Sequence, residues 1–150
     1  MTKILCAVDD NEHSKAALDL AGKLSDALKA DLTILAVNQV VGGYGRSGPP
    51  ASLWSDKEAE NVLSAAAKEA KSAGATNVKT VCVESRDLPL AITHYAEANG
   101  IDHIVVGNGG KGAISRMMLG SVSRDVMSRA HCPVTIESTR VITQSKTRAD

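Results

Sequence analysis

The chain has no phenylalanine, one tryptophan and two tyrosines among its 150 residues. Its core must be filled by Ala, Val, Ile and Leu, small side chains that pack well between helices and a parallel sheet. An excess of either charge is also missing, since seventeen basic residues meet seventeen acidic ones. A nucleic-acid binder needs a basic excess to displace counterions, so no nucleic acid is expected as a partner. Without a polybasic tract, no membrane is expected either. No apolar run approaches the ~20 residues of a membrane span. The first apolar run, Ile4–Val8, is too short for a secretory signal, so the expected location is cytoplasmic. The cysteines Cys6, Cys82 and Cys132 form no CxxC, and each lies in or beside an apolar run. All three are therefore expected to be buried reduced thiols. The histidines, His13, His94, His103 and His131, show no HxxxH or HExxH spacing, which argues against a metal site of that kind.

What remains is a chain of one-domain length, able to bury a core without disulfides. Five short apolar runs alternate with four helical stretches. Ile4–Val8 is the first strand, ended by Asp9. Over His13–Lys29 the residues Ala17, Leu20, Ala21, Leu24 and Leu28 recur on one helical face. Leu32–Val37 is the second strand. Ser55 or Asp56 can cap a helix to about Ala73, with Val62, Leu63, Ala66 and Ala70 inward, and Gly74 stops it. Val78–Val83 is the third strand. Asp87 can cap the next helix, which tolerates Pro89 in its first turn, buries Ala91, Ile92, Tyr95 and Ala96, and ends at Gly100. Ile104–Val106, a helix from about Met117 or Ser121 to Arg129, and the strand Pro133–Ile136 complete the order.

Alternation of this kind predicts a doubly wound α/β layer with a parallel sheet. Two stretches fit no regular element. Gln39–Leu53 holds four glycines and two prolines and reads as a mobile loop near the second strand's tip, either a solvated connection or a flap over a ligand. The polar stretch 138–150 reads as a tail after a single domain spanning 1–137.

In sheets of this type ligands bind at the strand tips where the winding direction reverses. The strand ending at Gly107 leads into Gly107-Asn-Gly-Gly110-Lys-Gly-Ala-Ile-Ser-Arg-Met-Met-Leu-Gly120-Ser121. A glycine-rich strand-to-helix junction lets backbone approach a phosphate closely. The first amides of the following helix, near Ser121, Val122 and Ser123, lack intrahelical partners and sit at the positive end of the helix dipole. The hydroxyls of Ser121 and Ser123 could donate further bonds, and Lys111 and Arg116 could neutralise charge. Two familiar phosphate motifs fail: Gly110-Lys111 is followed by Gly112 rather than Ser or Thr, and the turn after the first strand reads Asp9-Asp10-Asn11-Glu12. On the residues alone, the segment is either a phosphate cradle or a glycine loop without a ligand.

The spacing G-x2-G-x9-G-[ST], met by Gly107, Gly110, Gly120 and Ser121, resembles the nucleotide-binding motif of the universal stress protein family. Also similar are Lys3-Ile-Leu-Cys-Ala-Val-Asp9, Asp102-His-Ile-Val-Val-Gly107, Leu119-Gly-Ser-Val122 and His131-Cys-Pro-Val134. The resemblance implies an open five-stranded parallel sheet of order 3-2-1-4-5 with two helices on each face, a Rossmann-like layer of the adenine nucleotide α-hydrolase type. It implies ATP or AMP at the junction of the first and fourth strands. Ala7, Val8 and Asp9 would line the adenine and ribose side, and Val37 would offer backbone bonds to the adenine edge. Val106, Gly107, Gly109 and Gly110 would pass beneath ribose and phosphates, and Gly120, Ser121, Val122 and Ser123 would cradle the phosphates. Asp9 would help hold Mg²⁺ or Mn²⁺; on its own, a carboxylate at a strand tip can equally cap a helix or face solvent.

Three positions depart from the pattern. Asn108 stands where Ser or Thr is frequent, Gly109 where His or Arg is, and Glu84-Ser85-Arg86-Asp87 where a glycine is common. The resemblance further implies a homodimer through Val134, Thr135 and Ile136; an apolar edge strand needs pairing or covering in any case, and the polar tail could also guard it. Three functions follow: a nucleotide-responsive regulator of the stress response acting on a protein partner, a slow ATPase or phosphotransfer protein, or a nucleotide-free interaction protein. No catalytic set stands out.

Overall fold

A computed structural model describes residues 2–9, 12–108 and 121–137. In chain order the elements are β1 (Lys3–Val8), α1 (Glu12–Leu28), β2 (Asp31–Val41), a single 3-10 turn (Gly45–Ser47), β3 (Ala51–Ser52), α2 (Asp56–Ser72), β4 (Val78–Ser85), α3 (Leu88–Ala98), β5 (His103–Gly107), α4 (Ser121–Arg129) and β6 (Val134–Glu137). Five strands run parallel in the order β4-β2-β1-β5-β6. With the two-residue β3 set aside, this is the 3-2-1-4-5 order expected. The chain winds outward from β1 through β2 to β4, then crosses back to β5 on β1's other side, so the winding reverses between β1 and β5.

Alternation along each strand sends side chains to opposite faces. Ile4, Cys6 and Val8 join Leu32, Ile34 and Ala36 under α1 and α2, which contribute Ala17, Leu18, Ala21, Ala66 and Ala70. On the other face Leu5, Leu35, Val37, Ile104 and Val106 pack against Ile92 and Ala96 of α3 and Val126 of α4. The scarcity of aromatics shows in how closely the helices approach. A Cβ placed on Gly22 of α1 would lie 2.6 Å from the carbonyl oxygen of Ala70 and 2.7 Å from Ala73 Cβ.

The helix ends are set locally. Ser55, not Asp56, caps α2: its hydroxyl accepts from Glu58 N–H at 3.1 Å while the Glu58 carboxylate accepts from Ser55 N–H at 2.8 Å. This reciprocal box satisfies two otherwise orphaned amides. Asp87 caps α3 by accepting from Leu90 N–H at 3.0 Å, with Pro89 in the first turn as expected. Gly74 takes φ +121° just past α2, where a side chain would be strained.

Some expectations fail at the periphery. Leu28, expected inward, lies in the last turn of α1 and is 52% exposed. Cys82, expected buried, is exposed. It stands on β4, which has β2 on one side, so alternate residues of that outer strand face water. Cys132 is partly buried and Cys6 fully so. Burial drives the Cys6 thiol up from 9.0 to about 12. A thiol reagent at pH 8 is therefore expected to modify Cys82 in the native protein and Cys6 only on unfolding. Because the folded state holds the Cys6 proton longer, this contribution to stability is complete below pH ~9 and falls by about 1.4 kcal/mol per unit as pH rises toward 12. Alkaline unfolding of wild type and Cys6→Ser would reveal it as a loss of slope in the variant.

The stretch Gln39–Leu53, expected to be a loop without regular structure, is in large part a hairpin. β2 continues to Val41, and Ala51–Ser52 folds back antiparallel to it, pairing Val40 with Ser52 and Val41 with Ala51. The buried side chain of Asn38 closes the base. Its Nδ2 donates to the Trp54 carbonyl and its Oδ1 accepts from Trp54 N–H, both at 2.9 Å. Asn38→Ala would strip two partly buried backbone groups of their partner and is expected to cost about 1–3 kcal/mol, read as a lowered urea midpoint. No helix among the described residues is long and apolar enough to cross a membrane.

Candidate functional site

The winding reversal brings two strand tips together. Ile4, Leu5 and Cys6 of β1 pair with His103, Ile104 and Val105 of β5, and continuing that register sets Val8 beside Gly107. Both chains leave the sheet here, at the carboxyl ends of the strands. In open α/β sheets ligands bind in the crevice outside the carboxyl ends of the strands at such a reversal.

On β1, Asp9 is held by the start of α1. Its N–H donates to Ser14 Oγ at 2.8 Å, and Ser14 Oγ donates to Asp9 Oδ1 at 2.8 Å. The carboxylate thus ties the strand tip to the Ser14 hydroxyl in the first turn of α1, while the residue remains exposed. Ser14, which fixes it, carried no signal in the sequence beyond its place near a helix start.

On β5, Asn108 is buried and its N–H donates to the Glu137 carbonyl at 3.0 Å. The buried Ser123 of α4 turns its hydroxyl back to the Asn108 carbonyl at 3.4 Å. This bond pins the first turn of α4 to the β5 tip. Ser123 is thereby turned inward, while Ser121 is exposed at the helix start. Asn108 had drawn notice only as a departure from a pattern; in the fold it is the residue that α4 and β6 both hold.

Of the other residues expected in a site, Ala7, Val37, Val106 and Val122 all pack in the core layer shared with α3 and α4. Val8 points the other way, toward α1 and α2. The β1–β2 ladder ends at the pair Val8–Ala36, so Val37 is the first β2 residue past it, still paired with Val83 of β4 on the far side. Gly109, Gly110 and Gly120, with Lys111 and Arg116, lie outside the described residues.

Two grooves flank the strand tips. One, of about 450 Å³, lies toward α1 and α2 and is lined by Asp9, Ser14, Lys15, Val62, Ala66 and others. The second, of about 330 Å³, is lined by Gln39, Arg86, Asp87, Leu88, Pro89 and Val122, so the first turn of α4 shares a wall with the β4–α3 turn. A larger hollow of about 510 Å³ runs along α3 beside β4 and touches none of the candidate residues. Volume alone therefore does not mark the site. The charged residues lining the first groove are two carboxylates, Asp9 and Glu69, and one cation, Lys15. No group of three or more metal-ligating side chains occurs among the described residues. Mg²⁺ commonly binds through one or two carboxylates together with waters and phosphate oxygens, and a single exposed Asp9 fits that donor set.

A family model described as the universal stress protein family matches residues 1–136. The universal stress protein YxiE of Bacillus subtilis is 32% identical over 146 residues, covering 89% of this chain and 97% of that protein. A universal stress protein of Mycobacterium tuberculosis is 31% identical over 143 residues, covering 89% of this chain and 46% of the relative. The chain thus spans about half the length of its mycobacterial relatives. A crystal structure of a universal stress protein in complex with cAMP superposes with a TM-score of 0.70 at 27% identity, over 90% of this chain and 94% of that one. With the doubly wound sheet, the β1/β5 reversal and the glycine spacing after β5 all in place, the chain belongs to the universal stress protein family.

Proposed function

We propose that this protein binds an adenine nucleotide, ATP or AMP, across the tips of β1 and β5 and acts as a regulator whose output depends on that ligand. The observation that carries the reading is the pinning of the α4 start to the β5 tip through Ser123 and Asn108. It holds the first turn of α4 beside the β5 tip, and a helix N-terminus favours phosphate oxygens. The similar protein solved with cAMP supports an adenine ligand at this level of relatedness.

In this reading Ala7, Val37 and Val106 form the apolar side of the base and ribose site. Val8 and Asp9 form the β1 rim, and Gly107, Gly109 and Gly110 the floor. Gly120, Ser121, Val122 and Ser123 hold phosphate oxygens, the last two through their amides. Asp9 would help hold Mg²⁺ or Mn²⁺ where it is bound with ATP, and the ion would screen phosphate charge. The protein is cytoplasmic and a homodimer, with Val134, Thr135 and Ile136 pairing along the edge of β6 away from β5; among the described residues that half-buried strand pairs with β5 alone.

The test is to denature the purified protein and chromatograph the released small molecules, then to titrate refolded protein with ATP, AMP and GTP while following thermal stability. A ligand specific to the folded state must raise the melting temperature. Absence of both co-purified and added adenine nucleotide would overturn the reading. ATP turnover above an Asp9→Ala control would replace it with a slow ATPase.

A further inference from the structure

The β2–β3 hairpin does more than connect two elements. Its base is fastened firmly: Asn38 grips both backbone groups of Trp54, Leu53 N–H donates to the Gln39 carbonyl at 2.8 Å, and Ser52 Oγ donates to Glu84 Oε2 at 2.7 Å. Its tip is fastened differently. Arg86, from the β4–α3 turn, lays its guanidinium over the Tyr44 ring, 4.6 Å from the centroid. The tip is closed on itself by a bond from Gly43 N–H to the Gly48 carbonyl. Gly43 has φ +87°, and a Cβ there would come within 2.9 Å of Arg86 Nη2. The guanidinium therefore passes over the tip where side-chain atoms are absent.

Two connections tie this hairpin to the crevice. Arg86 also lines the groove that it shares with Val122 at the start of α4. The base is anchored on Asn38, the residue directly after Val37. Release of the Tyr44 stack frees the Arg86 side chain, which is part of that groove's wall.

We propose that residues 42–54 form a hood over the β2 side of the crevice, latched at its tip by Arg86 on Tyr44, and that opening of the latch gates nucleotide entry and exit. The inference rests on the nucleotide reading for what passes the gate, but not for the latch itself. A firm base with a solvent-exposed stack at the tip is the arrangement expected of a hinged lid, whose opening sets exchange rates. An exposed cation–π contact corresponds to roughly a two- to five-fold change in open population.

The hood carries its own reporter, since Arg46 sits in the 3-10 turn at its tip. Trypsin cleavage after Arg46, identified by fragment mass, follows the open population when reclosing is fast. Arg86→Met and Tyr44→Leu are each expected to raise the cleavage rate about two- to five-fold, the double variant no further, and Arg86→Lys less than Arg86→Met. In stopped flow with a fluorescent ATP analogue chased by unlabelled ATP, association and dissociation rates should both rise by a similar factor while Kd changes less than two-fold. Cleavage equal to wild type in both single variants overturns the latch. Raised cleavage with unchanged exchange rates, or a shifted Kd at constant association rate, overturns the gate. A protein that binds no adenine nucleotide overturns the functional reading and the gate together, and cleavage alone then decides the latch.

Discussion

Ser121→Glu will leave the protein at least as stable as wild type and weaken its affinity for ATP by roughly thirty- to a hundred-and-fifty-fold. The two halves of that result have one cause. A carboxylate at the first residue of α4 meets the positive end of the helix dipole, which favours folding by about 0.3–1 kcal/mol. Ser121 is exposed, so no packing is lost. The same charge, however, stands about 5 Å from where a phosphate would accept the helix amides. At an effective dielectric of ~20, two unit charges at that distance repel by about 3.3 kcal/mol, which salt screening lowers to about 2–3 kcal/mol. Calorimetric titration at low salt against thermal unfolding of the free protein would separate the two effects. Raising the salt should restore part of the affinity, because the repulsion is screened. Unchanged affinity in the variant would mean that the phosphates do not meet α4 at its start.

The second large effect lies in the α1–α2 contact. Gly22→Ala adds a single methyl to the middle of a helix, where propensity alone promises about 1 kcal/mol of gain. The space says otherwise. The new Cβ would lie 2.6 Å from the Ala70 carbonyl oxygen and 2.7 Å from Ala73 Cβ, and backbone cannot yield as a flexible side chain can. The helices must part, loosening Ala17, Ala21, Ala66 and Ala70 together. Overpacking of this kind costs about 1–3 kcal/mol or more. The expected net loss is about 2 kcal/mol for Gly22→Ala and about twice that for Gly22→Val. At roughly 2–4 °C per kcal/mol, the alanine variant should melt about 4–8 °C lower. Urea unfolding should shift its midpoint with little change in slope.

The order of strands and the faces of the helices were legible because each buried strand is a short apolar run and each helix repeats its apolar residues at 3–4 spacing. The cap at Asp87 was legible because capping is a local exchange between a side chain and an amide three residues on. What could not be read was tertiary. Asn38 looks like the end of an apolar run, yet it is buried and satisfied by Trp54, sixteen residues later. Without that partner in view, β2 appears to stop at Val37. Cys82 and Leu28 follow the right periodicity, but nothing local tells an outer strand or a last turn from an interior one. In the candidate site, Asp9 was proposed from its strand tip and the family resemblance, and Ser121 from the glycine spacing. Ser14, Asn108 and Arg86 act through neighbours that only the fold brings close, and no sequence pattern marked them as partners.

The absence of phenylalanine and the placing of the one tryptophan have a joint consequence for spectroscopy. The only indole in the chain is Trp54; its ring packs against the α1/α2 core layer while its backbone is clamped by Asn38. Its emission therefore has no competing indole signal from elsewhere in the chain. Intrinsic fluorescence of the unmodified protein is a local optical probe of the hairpin base, and a shift in its emission maximum on adding ligand reports events at that base without any attached dye.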